Sequence, residues 1–229
     1  MYVNNLLYLE YTKYINKHKK ALDTIYTALK AEQKELENST YVRNPIAFIE
    51  SRIKEFDSCI TKYSKKTDGE TPSSVEDILD VVHDIAGIRI VCHYIDDIYD
   101  VVSLIRMIPN INVIDSESDD YIKNPKPSGY SSVHLAVEVN IDGEWITSEI
   151  QIRSMLMHVW ARLEHYLKYK NPNPNKATSA MLVCLSGLLR SLDRLLIYLR
   201  DNGNEPDEQF INSITSDFQE IDNRIEEKI

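Results

Sequence analysis

Glycine is scarce, at 6 of 229 residues, and none of the glycine-rich nucleotide loops is present. There is no Walker A sequence, no Rossmann fingerprint and no kinase-type glycine set, so any phosphoryl-group chemistry here must use another architecture. The three cysteines, Cys59, Cys92 and Cys184, lie far apart in no pairing pattern. They read as ordinary reduced thiols rather than disulfide partners or metal ligands. No run approaches the roughly 18 apolar residues of a membrane span. The opening Met-Tyr-Val-Asn-Asn has no basic stretch leading into an apolar one. The expected location is the cytoplasm, with no membrane partner. Positive charge is also in deficit: 26 Lys and Arg stand against 36 Asp and Glu, a net charge of −10. A large nucleic-acid footprint would need a basic surface, whereas a local basic pocket for a small polyphosphate remains allowed. No internal repeat or low-complexity segment is visible.

What is present is an alternation of helical and extended patterns. Apolar residues at Leu6, Leu9, Ile15, Leu22, Ile25, Leu29 and Leu36 predict a long helix over 5–38. Asn44-Pro45 reads as a cap with proline in the first turn, starting a second helix through about Lys66. Ser73 with Glu76 reads as a capping box for a short helix reaching Asp84. Strands are then expected at 88–94, 112–115, 132–140 and 144–153, with a helix over 97–107. Asp142-Gly143 is a strong hairpin signal between the last two strands. Helices are expected at 154–169 and 177–200, separated by the proline-punctuated loop 171–175. A last helix follows Pro206, with Ile211, Ile214, Phe218, Ile221 and Ile225 at helical spacing. The organisation is therefore an α/β core over 44–170, with helical extensions over 1–43 and 171–229. The apolar stripes on both extensions suggest packing back on the core or helix-mediated self-association.

Alternation along 144–153 puts Glu149, Gln151 and Arg153 on one face and Ile150 and Ile152 on the other. His134 on the preceding strand adds to the polar side. Asp84 precedes Gly87, and Arg89 interrupts a run of Ile and Val, where an unpaired charge is costly. Arg89 therefore pairs with Asp84 or faces a phosphate or nucleobase. Two carboxylates on different segments, Asp84 and Glu149, suit Mg²⁺, with nucleotide oxygens completing the coordination. Lys123, Lys126, Ser128, Gly129 and Tyr130 form a basic loop ending in an aromatic. Arg52, Lys54, Lys62 and Lys65 recur along the expected second helix as a cationic face. His158 and His165 are seven apart with no third ligand at zinc-like spacing, which argues against structural zinc.

Taken together, these words resemble the synthetase domain of the RelA/SpoT homologue family, in particular the single-domain small alarmone synthetases. The matching words are Ser51-Arg52-Ile53-Lys54, His83 to Arg89, Lys126 to His134, Glu149 to Arg153, Met157-His158-Val159-Trp160, and Glu164-His165 followed by Tyr169-Lys170. They stand in family order over about 44–170. The resemblance implies a nucleotidyltransferase-like mixed β-sheet flanked by helices. It also implies transfer of the β,γ-pyrophosphate of ATP to the 3′-hydroxyl of GDP or GTP, releasing AMP. Asp84 and Glu149 would hold Mg²⁺, with Glu149 also activating the acceptor hydroxyl. Arg52 and Arg89 resemble residues that clasp adenine, and Lys54, Lys62 and Lys65 resemble ATP phosphate contacts. Tyr130 resembles a tyrosine that stacks on guanine, with Lys126, His134, Gln151, His158 and Glu164 around the acceptor. Relatives commonly assemble as tetramers, so a homo-oligomer is expected.

Three positions depart from the pattern. Ser131 stands where relatives often carry Arg or Gln, Ser51 where small synthetases often carry Gly, and His158 where they often carry Asn. The first departure removes a long polar side chain expected beside the acceptor. Two other readings stay open at this point. One is a toxic relative that pyrophosphorylates the 3′ end of tRNA or adenine nucleotides. The other is a catalytically quiet nucleotide- or RNA-binding regulator, against which the presence of both carboxylates speaks.

Overall fold

A computed structural model describes residues 2–40, 43–170, 176–202 and 207–226. Its centre is a five-stranded mixed sheet in the order β1-β2-β5-β4-β3, formed by Ile46–Ile53, Ala86–Cys92, Glu144–Ser154, Val133–Ile141 and Ile111–Asp120 respectively. Only β2 and β5 run parallel; the other neighbours are antiparallel. Among the described residues the helices are α1 (Tyr2–Asn38), α2 (Phe56–Lys66), α3 (Val75–Val81), α4 (Asp97–Met107), α5 (Met155–Lys170), α6 (Lys176–Asn202) and α7 (Glu208–Glu226). The proline-punctuated loop 171–175 lies outside the described residues.

The second helix expected from Asn44 is corrected: its first half is strand β1. Asn44 does accept a hydrogen bond from the Ile46 amide at 2.9 Å, but as an Asx turn leading into extended chain. Pairing with β2, with Ile49 against Ile90 and Arg52 against Gly87, decides the conformation. Tertiary pairing here outweighs a local cap signal. The capping box also sits one residue later than expected. Ser74 accepts from the Asp77 amide, and the Asp77 carboxylate accepts from the amides of Ser73 and Ser74. Glu76 instead takes the Tyr14 hydroxyl at 2.5 Å. The helix stops at Val81, leaving Asp84 in the turn before β2. Strand β3 runs on to Asp120, well beyond the expected Asp115, because its distal half pairs with the start of β4. The Asp142-Gly143 turn behaves as expected, with both residues at positive φ (53° and 91°), as a tight hairpin turn requires.

One sheet face carries the main core. Ile90, Ile150 and Ile152, all fully buried, meet Ala21, Leu22, Ile25 and Leu29 of α1 and Ile98, Val101 and Ile105 of α4. The first half of α1 serves a second core, where Leu7, Tyr11 and Ile15 pack with Cys59, Tyr63, Val75 and Ile78 of α2 and α3. Helix α1 is thus a layer of the fold, although its sequence reads as an extension. Its apolar stripe keeps the expected phase at Ile15, Leu22, Ile25 and Leu29 but not in the first turns, where Leu6 and Leu9 are exposed while Leu7 and Tyr11 are buried. All three cysteines are free and buried.

Helix α6 is stapled to this body by hydrogen bonds along one face. Trp160 Nε1 donates to the Leu182 carbonyl at 2.9 Å, and Ser186 Oγ donates to the Gly129 carbonyl at 2.5 Å. Ser154 Oγ donates to Asp193 Oδ2 at 2.7 Å. Arg200 reaches Asp96 at 2.7 Å. Asp193 is 1% exposed, and its second oxygen has no hydrogen-bond partner. Burial, against the opposing Ser154 bond, pushes its carboxyl up to about 6 from 3.8.

A raised carboxyl binds its proton more tightly in the fold, so the ionised form costs stability above the folded value and nothing below the unfolded one. Two pH units correspond to about 3 kcal/mol at most. An asparagine in this place would keep an acceptor for Ser154 without the charge. Asp193→Asn is expected to raise the melting temperature at pH 7.5, with the gain disappearing as pH falls from 6 towards 4. A lowered melting temperature at pH 7.5 would contradict this.

Candidate active site

The sheet face opposite the main core carries a polar row across all five strands. In register stand Glu50 of β1, Arg89 of β2, Gln151 of β5, His134 of β4 and Asp119 of β3. The next row holds Arg52, Gly87, Glu149 and Ala136. Small residues on both sides of Glu149 leave its carboxylate in a trough rather than under neighbouring side chains.

Two cavities meet there. One of about 380 Å³ is lined by Glu50, Arg52, Gly87, Arg89, Glu149 and Gln151. The other, about 510 Å³, holds Asp84, Asp119, Tyr121, Lys126, His134, Glu149 and Gln151. Glu149 and Gln151 belong to both, so a reacting group on either side reaches the same carboxylate. A third, open depression of about 380 Å³ gathers Lys54, Lys62 and Lys65. The four cationic residues expected on one helix are thus split. Arg52 lies on β1 and Lys54 follows it, while Lys62 and Lys65 come from α2.

Arg89 pairs with Glu50 at 3.0 Å and not with Asp84. The lysines take Asp84 instead: Lys54 Nζ lies 2.7 Å from Oδ2 and Lys62 Nζ 2.9 Å from Oδ1. Burial alone would raise the Asp84 carboxyl, but the two ammonium groups outweigh it and hold it below the usual range. Oδ1 is buried and accepts no well-directed hydrogen bond. Tyr11 of α1 fixes this corner by donating to the Lys54 carbonyl at 2.7 Å.

Glu149 accepts at both oxygens. His134 Nδ1 lies 2.5 Å from Oε1, and Gln151 Nε2 donates to Oε2 at 3.0 Å. Burial pushes its carboxyl up and the His134 contact more than reverses that, so Glu149 stays ionised at neutral pH. A buried, unprotonated carboxylate with two fixed donors can orient a hydroxyl and take its proton.

The Tyr130 hydroxyl is held by Arg153 at 2.6 Å and His134 at 2.7 Å, and its ring packs edge-on against Trp160. Lys126 stands 4.2 Å above the ring of Tyr121 and 5.4 Å from that of Tyr130. Tyr121 therefore lines the same cavity as Lys126, which sequence reasoning missed. Its signal lay in the end of β3, expected five residues too early. Glu50, Glu117 and Asp119 were missed for the same kind of reason, since each depends on strand pairing.

His158 is not brought to this cavity. It packs edge-on against Phe48 of β1 at 5.4 Å, and its pKa is lowered by burial and then by Arg89. Glu164, half-buried on α5, does not line the cavity either. Ser131 turns away from the acceptor side, donating to the Tyr121 carbonyl at 2.9 Å and lying beside Asp193.

The residues fit a hard divalent cation: two ionised carboxylates, Asp84 and Glu149, line one cavity. Among the described residues, no group of three or more His, Cys, Asp or Glu converges as a metal site. Completion of the shell would fall to substrate oxygens.

Residues 51–174, more than half of the chain, match the family described as a region found in RelA / SpoT proteins. GTP pyrophosphokinase YwaC of Bacillus subtilis is 37% identical over 167 residues, covering 70% of this chain and 75% of that protein. GTP pyrophosphokinase YjbM of the same organism is 37% identical over 131 residues, 56% of this chain and 58% of that protein. Among solved structures, small alarmone synthetase 1 from Bacillus subtilis bound to its product pppGpp is similar, with a TM-score of 0.75 at 29% identity. The likeness covers 85% of this chain and 98% of that one. The same synthetase bound to AMPCPP gives a TM-score of 0.67 at 26% identity, over 86% of this chain and 98% of that one. Motif order, sheet topology and sequence identity converge, and the chain belongs to the RelA/SpoT family.

Proposed function

We propose that the chain is a GTP pyrophosphokinase that transfers the β,γ-pyrophosphoryl group of ATP to the 3′-hydroxyl of GDP or GTP. The observation that carries this is the pair of cavities meeting at Glu149 and Gln151. One side offers Arg52 and Arg89, whose planar guanidinium groups suit a flat adenine. The other offers Lys126 and Tyr121 to the acceptor nucleotide, with Tyr130 behind His134 rather than on the cavity wall. The relatives named GTP pyrophosphokinase support the same assignment.

The acceptor 3′-oxygen attacks the β-phosphorus, its proton passes to Glu149, and the bond from that phosphorus to the oxygen bridging to the α-phosphate breaks. AMP leaves with the bridging oxygen. Lys54, Lys62 and Lys65 meet the triphosphate, and the exchange draws Lys54 and Lys62 off Asp84. Asp84 and Glu149 are then free to hold Mg²⁺, which when bound supplies charge neutralisation across the transferring group. His134 and Gln151 keep Glu149 aimed at the acceptor. The setting is the cytoplasm; no described helix is long and apolar enough to cross a membrane.

The test is a product assay with γ-labelled ATP and Mg²⁺, offering GDP, GTP, GMP, ATP and deacylated tRNA separately. Label is expected on GDP or GTP with AMP released. Label on tRNA alone would replace the reading by the toxin-like one, and transfer to nothing would favour a binding module.

Self-association belongs to the same proposal. Met155, Val159, Leu163, Tyr166 and Leu167 leave an exposed apolar row on α5, and Ile211 and Phe218 add apolar surface on α7. Light scattering is expected to give a mass above 26.5 kDa, and a monomer at micromolar concentration would refute it.

A further inference from the structure

Arg153, at the end of β5, is a buried cation to which no carboxylate among the described residues is bound. It is 5% exposed, and burial lowers its pKa. Its Nη2 donates both hydrogens, to Tyr130 Oη at 2.6 Å and to Gln151 Oε1 at 2.7 Å. Each contact starts a path to Glu149. Through Gln151, the amide Nε2 reaches Glu149 Oε2 at 3.0 Å. Through Tyr130, the hydroxyl meets His134 Nε2 at 2.7 Å, and His134 Nδ1 meets Glu149 Oε1 at 2.5 Å. Both oxygens of one carboxylate are thus reached from a single guanidinium nitrogen.

A guanidinium can only donate, and that fact sets the polarity of both paths. Gln151 must turn its carbonyl to Arg153, which leaves its NH₂ for Glu149. Tyr130 accepts from Arg153, which leaves its own proton available for His134 Nε2, and we take that direction for their 2.7 Å contact. His134 then carries its proton on Nδ1, facing Glu149. Without the root donor, the Gln151 amide can flip and the imidazole can exchange tautomers. A flipped amide would set its oxygen against the carboxylate. A buried guanidinium without a counter-carboxylate is costly to the fold, so its return lies elsewhere.

We propose that Arg153 is a positioning residue that fixes the Gln151 amide, the His134 tautomer and thereby the orientation of Glu149. The kinetic consequence rests on the pyrophosphokinase reading; the structural one does not.

The test uses Arg153→Met and Arg153→Lys in the full chain. ¹⁵N NMR of the imidazoles, with His134→Gln assigning the signal, reads the tautomer directly. The expected result is a single Nδ1–H form in the parent and a mixture in Arg153→Met, with the melting temperature unchanged or raised. In the product assay, Arg153→Met is expected to lower kcat by about 100-fold, the cost of a misaimed catalytic group. KM for ATP should stay within about twofold, and Arg153→Lys, which can still donate to both partners, should recover most of the rate. An unchanged tautomer in Arg153→Met overturns the proposal, as does a rate loss that follows a fall in melting temperature. A parent chain that transfers nothing refutes the functional reading alone, and the tautomer result still decides this inference.

Discussion

Replacing Glu149 by glutamine is expected to lower turnover by about three orders of magnitude or more, the scale of losing a general base together with a metal-binding carboxylate. The substitution keeps shape and volume. The oxygen of the new amide can still accept from His134 or Gln151, but the other donor would face its NH₂ group. A buried donor left unpaired costs about 1–3 kcal/mol, so the fold survives. Because its donors hold the Glu149 carboxyl below its usual range, the ionised form stabilises the fold at neutral pH. That contribution is lost as pH falls through the lowered folded value. Glu149→Gln should therefore lose stability at neutral pH and show a flatter acid limb in thermal melts. Steady-state kinetics with matched melts separate the two effects. Activity within about tenfold of the parent chain, a gap far smaller than a lost general base leaves, would remove Glu149 from both proposed roles.

Asp97→Ala should have the largest effect on stability. Asp97 opens α4 and is 1% exposed. It accepts from the Tyr94 amide at 3.0 Å and from both terminal nitrogens of Arg43, with Arg200 at 4.0 Å. The guanidinium groups of Arg43 and Arg200 lie 5.0 Å and 4.7 Å from the Tyr94 ring. Asp97 therefore ties together the segment before β1, the start of α4 and the end of α6. Its removal leaves two cations on one ring, with Asp96 and Asp201 bound to Arg200 and the direct partner of Arg43 gone. Breaking a buried pair from one side costs about 3–5 kcal/mol, and Arg43, half-exposed, can partly rehydrate and keep the loss near the lower figure. For a chain of this size that is roughly a 10 °C fall in melting temperature. A fall of under about 2 °C, less than 1 kcal/mol would produce, would mean that Asp96 and Asp201 suffice as counter-charges.

These two carboxylates differ in how far the sequence discloses them. Glu149 is legible because strand alternation is local: Ile150 and Ile152 declare the buried side, and Glu149 falls opposite. The Asp142-Gly143 hairpin and the α/β order are legible for the same reason. Asp97 reads only as an acid at a helix start. Its partners are remote in the chain, Arg43 lying 54 positions before it and Arg200 at the far end of α6. The misread stretch after Asn44 has that origin too. An Asn-Pro pair starts helices and Asx turns alike, and β2 chooses between them. Arg89 shows the limit most plainly. Its need for a counter-charge is written in the surrounding Ile and Val, but Glu50 as its partner depends on a strand that the local signals conceal.

The contact of α6 with the loop before β4 joins a segment inside the family-matched region to one beyond it. Gly129 has φ +89°, and a Cβ built on it would fall 2.8 Å from the Ser186 Cβ. Gly129 lies within the family-matched region, residues 51–174, and Ser186 lies beyond it. The acceptor loop thus takes its shape from a helix that the family pattern does not include. Position 186 can drift only among side chains that fit over that glycine, and a tail grafted from a relative would bring its own loop geometry with it. Substrate preference can then diverge between relatives whose motif residues are identical, through changes in a segment that lines neither cavity at Glu149.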